Sequence, residues 1–308
     1  MRKRACWCLP ALIAVMFGAV LPAAQAQNIV VHSAYHDQLQ TQLGAVADRL
    51  NGVMGYAIRD LTTGEAFYRL PDTVFPQASS IKLAILLELL RQDQEGKLSL
   101  GEKRTIRRSE TVAGDPILYM LGDGTVSMTL GDLATFMVVL SDNSATNILV
   151  DRVGMANVNA EIARLGLKES KLRRHMMDLE AARQGSENVS TPREMMELLE
   201  RAHAGQALDT AHTAEYFRLL ELPKSSEFQT ALPDSAKIAD KPGALEAVRC
   251  DSGIIEIPGH PFVMTVMTTY LSNEAEGERA IEDVARLAYA YFDRLARSSP
   301  YGRVISEK

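Results

Sequence analysis

Phe75-Pro76-Gln77-Ala78-Ser79-Ser80-Ile81-Lys82-Leu83 sets a hydroxyl at the start of a predicted helix and an amine three residues further on. Residues three apart on a helix share a face, so Ser79 and Lys82 become neighbours one turn apart. A serine hydroxyl is a weak nucleophile until a nearby group takes its proton, and a partly desolvated lysine, or one near other cations, can take it. The first turn of the helix adds backbone N–H groups and a positive dipole end that favour a developing oxyanion. Alone, S-x-x-K decides nothing. A chain of this length and composition should contain about one by chance, and the plain alternative is a capped helix with a solvated lysine.

Two further elements change the weight of the first. Ser141-Asp142-Asn143 stands 62 residues beyond Ser79 within a predicted helical stretch, and Lys241-Pro242-Gly243 stands another 100 on, just before a predicted strand. In that order and spacing the three resemble the S-x-x-K, S-D-N and K-T-G elements of class A β-lactamases and penicillin-binding proteins. The likeness extends through Leu140-Ser141-Asp142-Asn143-Ser144-Ala145-Thr146-Asn147 and through Thr191-Pro192, which resembles the end of that family's Ω-loop. It covers nearly the whole chain after its N-terminal segment, and the chain is identified as a member of the class A β-lactamase-like serine hydrolases. The resemblance implies an α/β fold: an antiparallel sheet flanked by N- and C-terminal helices, plus an all-helical insertion lobe.

It also implies roles. Ser79 would be the acylated nucleophile and Lys82 its proton acceptor. Ser141 would relay a proton to the leaving nitrogen, Asn143 would hold Lys82 and the substrate amide, and Lys241 would favour a substrate carboxylate and polarise Ser141. The N–H groups of Ser79 and Ala244 would form the oxyanion hole, with Gly243 and Arg249 as substrate contacts. Asp142, between two functional neighbours, is expected to stabilise its helix from another face.

The sequence departs from the family pattern in three places. The family's Ω-loop carries a glutamate that activates the deacylating water, followed shortly by an asparagine. Counting back from Pro192 without gaps puts His175 and Leu179 at those positions. Three readings follow: His175 is the base, since imidazole titrates near neutrality; a shifted loop brings Asp178 or Glu180 to the water; or no residue does this and the acyl-enzyme persists. A structural role for His175, and ion pairs of Asp178 and Glu180 with Arg173, Arg174 or Arg183, are the plain alternatives. Pro242 replaces a hydroxyl residue, which removes a donor for a carboxylate and fixes the backbone beside Lys241. Arg249 would compensate, or pair with Asp251 or Glu246. The family's aromatic residue at the cleft rim is missing from Val112-Ala113-Gly114-Asp115-Pro116, leaving Tyr119 as a substitute or a packed tyrosine.

The remaining pattern agrees with one catalytic domain. Leu39, Leu43, Val46 and Leu50 recur at helical spacing from Tyr35 to Leu50. Residues 53–59 and 65–70 read as a strand pair joined by a turn at Asp60–Gly64. Helices are predicted at Ser80–Gln94, 129–151, 155–165, 192–204 and Glu276–Ala296, and strands at 246–256 and 262–271. The α/β lobe is placed at about 27–75 and 227–308, and the helical lobe at about 76–226. The cleft between them is the expected site.

Residues 1–26 carry Arg2, Lys3 and Arg4, an apolar run from Ala11 to Leu21, and Ala24-Gln25-Ala26, the pattern of a cleaved signal peptide. The run is shorter than a membrane span requires. The expected location is therefore periplasmic or secreted, with no membrane attachment after cleavage. Cys6 and Cys8 precede the apolar run and leave with it, so Cys250 remains as a buried thiol and no intrachain disulfide is expected. The 308 residues carry 33 Lys+Arg against 39 Asp+Glu, a charge of -6, which becomes -9 without the segment. So acidic a chain is no general nucleic-acid binder. His32 and His36 lack carboxylate company, so no metal and no cofactor is expected. A monomer acting on a small molecule is expected, either a β-lactam or a peptidoglycan-like amide. The rivals are a penicillin-binding D-amino-acid amidase, carboxypeptidase or esterase with slow deacylation, and an inactive protein that binds a ligand or cell wall. Ser79, Lys82, Ser141, Asn143 and Lys241 together argue against inertness, because no binding role requires all five.

Overall fold

The computed structural model describes residues 23–112 and 117–305, with side chains from residue 30 onward. The signal-like residues 1–22, with Cys6 and Cys8, and most of the segment before Tyr119 lie outside the described residues. Helix α1 (Ala23–Arg49) leads into β1 (Val53–Asp60) and β2 (Ala66–Arg69), and β3 (Phe75–Pro76) and a 3-10 turn (Ala78–Ile81) precede α2 (Lys82–Gln94). After β4 (Lys103–Thr105) and β5 (Ser127–Thr129) come α3 (Leu130–Val139), α4 (Asn143–Val153), α5 (Met155–Arg164) and α6 (Leu179–Arg183). Then follow β6 (Val189–Ser190), α7 (Pro192–His203), α8 (Thr210–Leu220), α9 (Glu227–Ala231), β7 (Lys237–Leu245), β8 (Val248–Glu256), β9 (Phe262–Thr269) and α10 (Glu274–Ala296). Among the described residues no helix is long and apolar enough to cross a membrane.

The five-stranded sheet runs β2-β1-β9-β8-β7, every neighbour antiparallel. Strand alternation divides its side chains between two cores. Tyr56, Ile58, Met264 and Val266 pack with Leu39, Leu43, Ile281 and Phe292 of the terminal helices. Ala57, Val263, Met267 and Ile254 face the helical lobe. That lobe is built around α2, whose residues from Leu83 to Leu90 are all buried. A helix apolar on every side belongs in the centre of a core.

Two segments depart from the sequence reading. The stretch 129–151 is two helices, broken at Ser141, whose φ is +55°. Asp142 caps α4 by accepting from the Ala145 N–H at 2.8 Å. The apolar period runs on through the break because Leu133, Met137, Leu149 and Val150 all enter one core. Lys241, expected just before a strand, lies in the middle of β7, paired with Ser252. Pro242 is tolerated because β7 is an edge strand.

A short ladder fixes the segment leading to Ser79 to the loop before α7: Phe75 pairs with Ser190 and Pro76 with Val189. The loop neck closes through Lys171 and Val189 and through the Arg174–Glu187 pair at 2.5 Å. Gly55 of β1 lies beneath this junction. A Cβ there would come within 2.8 Å of the Phe75 ring and 3.0 Å of Pro192. Gly55→Ala is therefore expected to cost about 1–3 kcal/mol, as overpacked sites do. Urea unfolding should show a lower midpoint at unchanged slope.

Candidate active site

Ser79 is the second residue of the 3-10 turn, directly after Ala78, whose φ of +44° puts a non-glycine residue in the left-handed region. Such a conformation persists only where its surroundings enforce it. Gln77 supplies much of that enforcement: its N–H donates to Asn188 O at 3.0 Å and its Nε2 to Val189 O at 2.9 Å. Its carbonyl accepts from Ser80 N at 2.9 Å and from Cys250 Sγ at 3.2 Å. Burial pushes the Cys250 thiol up to about 12, so it stays a neutral thiol against the nucleophile turn.

Strand β7 passes on the other side. A Cβ at Gly243 would lie 2.9 Å from the Ser79 N and 2.7 Å from Cys250 Sγ, so only glycine allows this approach. Ala244 follows it on the strand, which brings the two stretches of backbone expected to form an oxyanion hole side by side. Pro242, Gly243 and Ala244 line the adjoining cavity.

The S-x-x-K, S-D-N and K-P-G elements converge on Ser141. Lys82 Nζ donates to Ser141 O at 2.7 Å, to Ser141 Oγ at 3.1 Å and to Asn143 Oδ1 at 3.0 Å. Lys241 Nζ approaches the same Ser141 Oγ at 3.1 Å and also Pro242 O at 3.0 Å. Both lysines are 1% exposed. A hydroxyl oxygen offers two lone pairs, so two ammonium donors fill its accepting capacity and its own O–H remains to donate. Burial pulls Lys241 down to about 8, against the opposing pull of Asp240 and Asp251.

Arg249 lies at the cavity, but not paired with Asp251 or Glu246. It donates to Glu278 at 2.8 Å, to Glu274 at 3.1 Å and to the carbonyls of Leu245 and Val248, both at 2.9 Å. Four of its five N–H groups are thus engaged. The proposed compensation for Pro242 is reduced to one remaining donor.

The three deacylation candidates have other positions. His175 pairs with the exposed Asp151 at 2.8 Å and is itself 41% exposed. Asp151 is eight residues along α4 from Asn143, about 12 Å at 1.5 Å per residue. Asp178 caps α6 through the Ala181 N–H at 2.9 Å, and exposed Glu180 pairs with Gln184 and Arg183 at 2.8 and 3.5 Å. Between them Met176 is clamped by Asn147, which accepts from its N–H at 2.8 Å and donates to its carbonyl at 3.1 Å. Tyr119 lies beneath the Arg108 guanidinium, 4.7 Å from ring centre. Among the described residues no cluster fit for a metal ion occurs.

Sequence reasoning gave no role to Gln77, Asn147 or Glu227. The first two lie inside quoted motifs but act through backbone contacts that no pattern encodes. Glu227 belongs to no motif and reaches the cavity only through the fold. Gly243→Ala should lower the rate of Ser79 acylation about 100-fold, the scale of a small misplacement of reacting groups. Single-turnover adduct formation would read it.

A family profile described as "Beta-lactamase enzyme family" matches residues 38–292. Beta-lactamase ROB-1 of Haemophilus influenzae is 28% identical over 271 residues, 84% of this chain and 86% of that protein. A crystal structure of a β-lactamase from Sphaerobacter thermophilus superposes with a TM-score of 0.75 at 29% identity, covering 82% of this chain and 96% of that one. A mutant of PBP-A, solved as its acyl-enzyme complex with penicillin G, superposes with a TM-score of 0.76 at 25% identity, covering 85% and 97%. With Lys82, Ser141, Asn143 and Lys241 brought together and a profile match over most of its length, the chain belongs to the β-lactamase enzyme family, as a β-lactamase-like serine hydrolase.

Proposed function

We propose that the protein is an exported enzyme acylated on Ser79 by β-lactams, and by peptidoglycan-type amides of similar shape, and that it releases the acyl group slowly. The observation that carries the reading is the single Ser141 hydroxyl held between two buried lysines. Ser79 Oγ attacks the carbonyl while its proton passes to Lys82 in the neutral amine form, which has the electron pair that the ammonium lacks. Lys82 gives a proton along its existing bond to Ser141 Oγ, and Ser141 delivers its own to the leaving nitrogen as the C–N bond breaks. An ester on Ser79 results. Hydrolysis of that ester yields the free acid and restores the serine.

The slow second step follows from the loop. His175, Asp178 and Glu180 are held by Asp151, the α6 N-terminus and Arg183 with Gln184. Loss of a general base costs about 10²–10⁴-fold in rate, so the acyl-enzyme would accumulate. The named relatives include both β-lactamases and a penicillin-acylated PBP-A, so relatedness alone does not decide between destroying a penicillin and trapping it.

Intact-protein mass spectrometry over time after adding a penicillin tests both steps. The expected result is a long-lived adduct absent from Ser79→Ala. Rapid turnover with no adduct sinks the slow-release step, and no reaction at all sinks the proposal. Single His175→Ala, Asp178→Asn and Glu180→Gln changes should leave the adduct's lifetime within about twofold, since general-base loss would change it far more.

Lys241 gives a pH signature. Its lowered pKa of about 8 means that the ammonium is present below that pH and lost above it. Acylation by an anionic β-lactam should therefore fall as pH rises through about 8. Lys241→Ala should remove that limb, as should an uncharged ester substrate in place of the β-lactam.

A further inference from the structure

A cavity of about 850 Å³ lies where α1, the β1–β2 and β8–β9 turns and the stretch after α10 come together, separate from the cavity beside Ser141 and Lys241. Small-molecule sites are usually of this size, roughly 300–1,000 Å³. Its apolar wall is formed by Val31, Tyr35, Leu295 and Pro300. The Tyr35 ring is fixed in place by stacking on Tyr291, with ring centres 4.6 Å apart.

The rim is apolar as well. Val30 and Val31 of α1 are exposed, and so are Tyr301, Val304 and Ile305 of the stretch after α10, each by at least 42%. That stretch is tied down beside the helix: Val304 bridges to Ser298, and the Ile305 N–H donates to Arg297 O at 2.8 Å. Scattered apolar residues on a surface need no explanation. Five of them gathered from two segments around one cavity mark a place where an apolar group binds.

The polar part of the lining is unevenly satisfied. Glu65, its acid, already accepts from the Tyr291 hydroxyl at 2.8 Å and has His32 at 3.7 Å. His260 is held at 2.6 Å by the buried Asp60, which also accepts from the Thr62 and Thr63 N–H groups at 2.7 and 3.0 Å. Arg294 differs. Among the described residues it makes no hydrogen bond and holds no carboxylate, whereas Arg286 and Arg297 on either side of it pair with Glu282 and Asp293. Burial raises the Tyr35 hydroxyl above its ordinary pKa and the Arg294 charge pulls it back, so guanidinium and phenol lie near each other. Two donors thus stand in the lining with no acceptor from the protein.

We propose that this cavity is a second ligand site, for an amphiphile with one carboxylate and an alkyl chain, such as a medium-chain fatty acid. The carboxylate accepts from Arg294, whose planar fork matches it, and from the Tyr35 hydroxyl, while the chain covers Val31, Leu295 and Pro300. A neutral amphiphile of the same length gains the apolar contact and leaves both donors unmatched. A short carboxylate gains the ion pair alone, which at an exposed arginine is worth little. Both halves of the ligand are needed. Binding here makes and breaks no covalent bond, so the inference stands whether or not Ser79 is acylated.

NMR titration of the isotope-labelled protein with octanoate, octan-1-ol and acetate tests the site. Octanoate should shift the amides of Thr63, Gly64, Glu65 and Gly302 saturably and leave those of Gly243 and Ala244, beside Ser79, in place. It should bind at least about fivefold tighter than either octan-1-ol or acetate, the scale of one net hydrogen bond. Arg294→Gln, a change at an exposed residue, should bring octanoate down to the level of octan-1-ol and leave octan-1-ol unchanged. Equal affinity for octanoate and octan-1-ol, acetate binding as tightly as octanoate, shifts centred on Gly243, or no saturable shift overturns the proposal. Sedimentation with phosphatidylglycerol vesicles separates a free amphiphile from a lipid surface. The protein should remain in the supernatant, and capture on the vesicles that Arg294→Gln abolishes would make this face a membrane contact and overturn the site.

Discussion

The hydroxyl of Ser141 is where the molecule is tied together. It accepts from Lys82 at the start of α2 and from Lys241 in the middle of β7, while the Ser141 backbone forms the junction of α3 and α4. Two ammonium groups out of water, converging on one oxygen, repel each other and forgo hydration, a penalty of several kcal/mol per ion. The arrangement persists because acceptors surround it: Ser141 O, Asn143 Oδ1 and Pro242 O nearby, with Asp240 and Asp251 behind. Both lobes must dock correctly for the lysines to be satisfied. The break at Ser141 is part of this constraint, since a continuous helix would not bring its hydroxyl and carbonyl together toward Lys82.

The three motif elements that meet at Ser141 were legible in the sequence because each is short, and their order and spacing are demanding. The sheet and flanking helices were legible through periodicity. What stayed hidden did so for physical reasons. The 129–151 stretch reads as one helix because α3 and α4 bury the same kind of apolar stripe in the same core, and only the Asp142 cap marks the division. Asp240-Lys241-Pro242 reads against a strand, since charged residues and proline are poor strand formers. They occupy β7 because tertiary contacts bury the charges and the proline lies on an edge strand.

The Ω-loop shows how scaffold and chemistry can separate. Its neck is firmly built, through the Lys171–Val189 bridge, the Arg174–Glu187 pair and Asn188 accepting from the Arg173 and Arg174 N–H groups at 2.8 and 3.1 Å. The neck also pins Gln77, so it would be required for presenting Ser79 even if the loop never activated a water. The tip carries no such demand. Its ionisable side chains turn to local surface pairs, which contribute little to stability. In the proposed reaction, loop integrity therefore bears on acylation, and the identity of residues 175–180 on the fate of the acyl group.

Net acidity acquires a local meaning in the same way. With a formal charge of -6 the chain as a whole repels anions, and the cationic groups in contact with the leaving-group side are Lys241 and the largely engaged Arg249. Lys241, with a pKa near 8, holds its charge incompletely just above neutrality. An anionic ligand thus meets Lys241, a cation of limited strength, and the largely engaged Arg249 within a wall that includes Glu227, Glu278 and Glu282. Had β7 carried a hydroxyl at position 242 and had Arg249 faced the cavity unpaired, a carboxylate alone would find sufficient partners. As built, Pro242 donates nothing and Arg249 is drawn toward α10 by Glu274 and Glu278. A carboxylate entering this cavity therefore finds little beyond Lys241 to bind it.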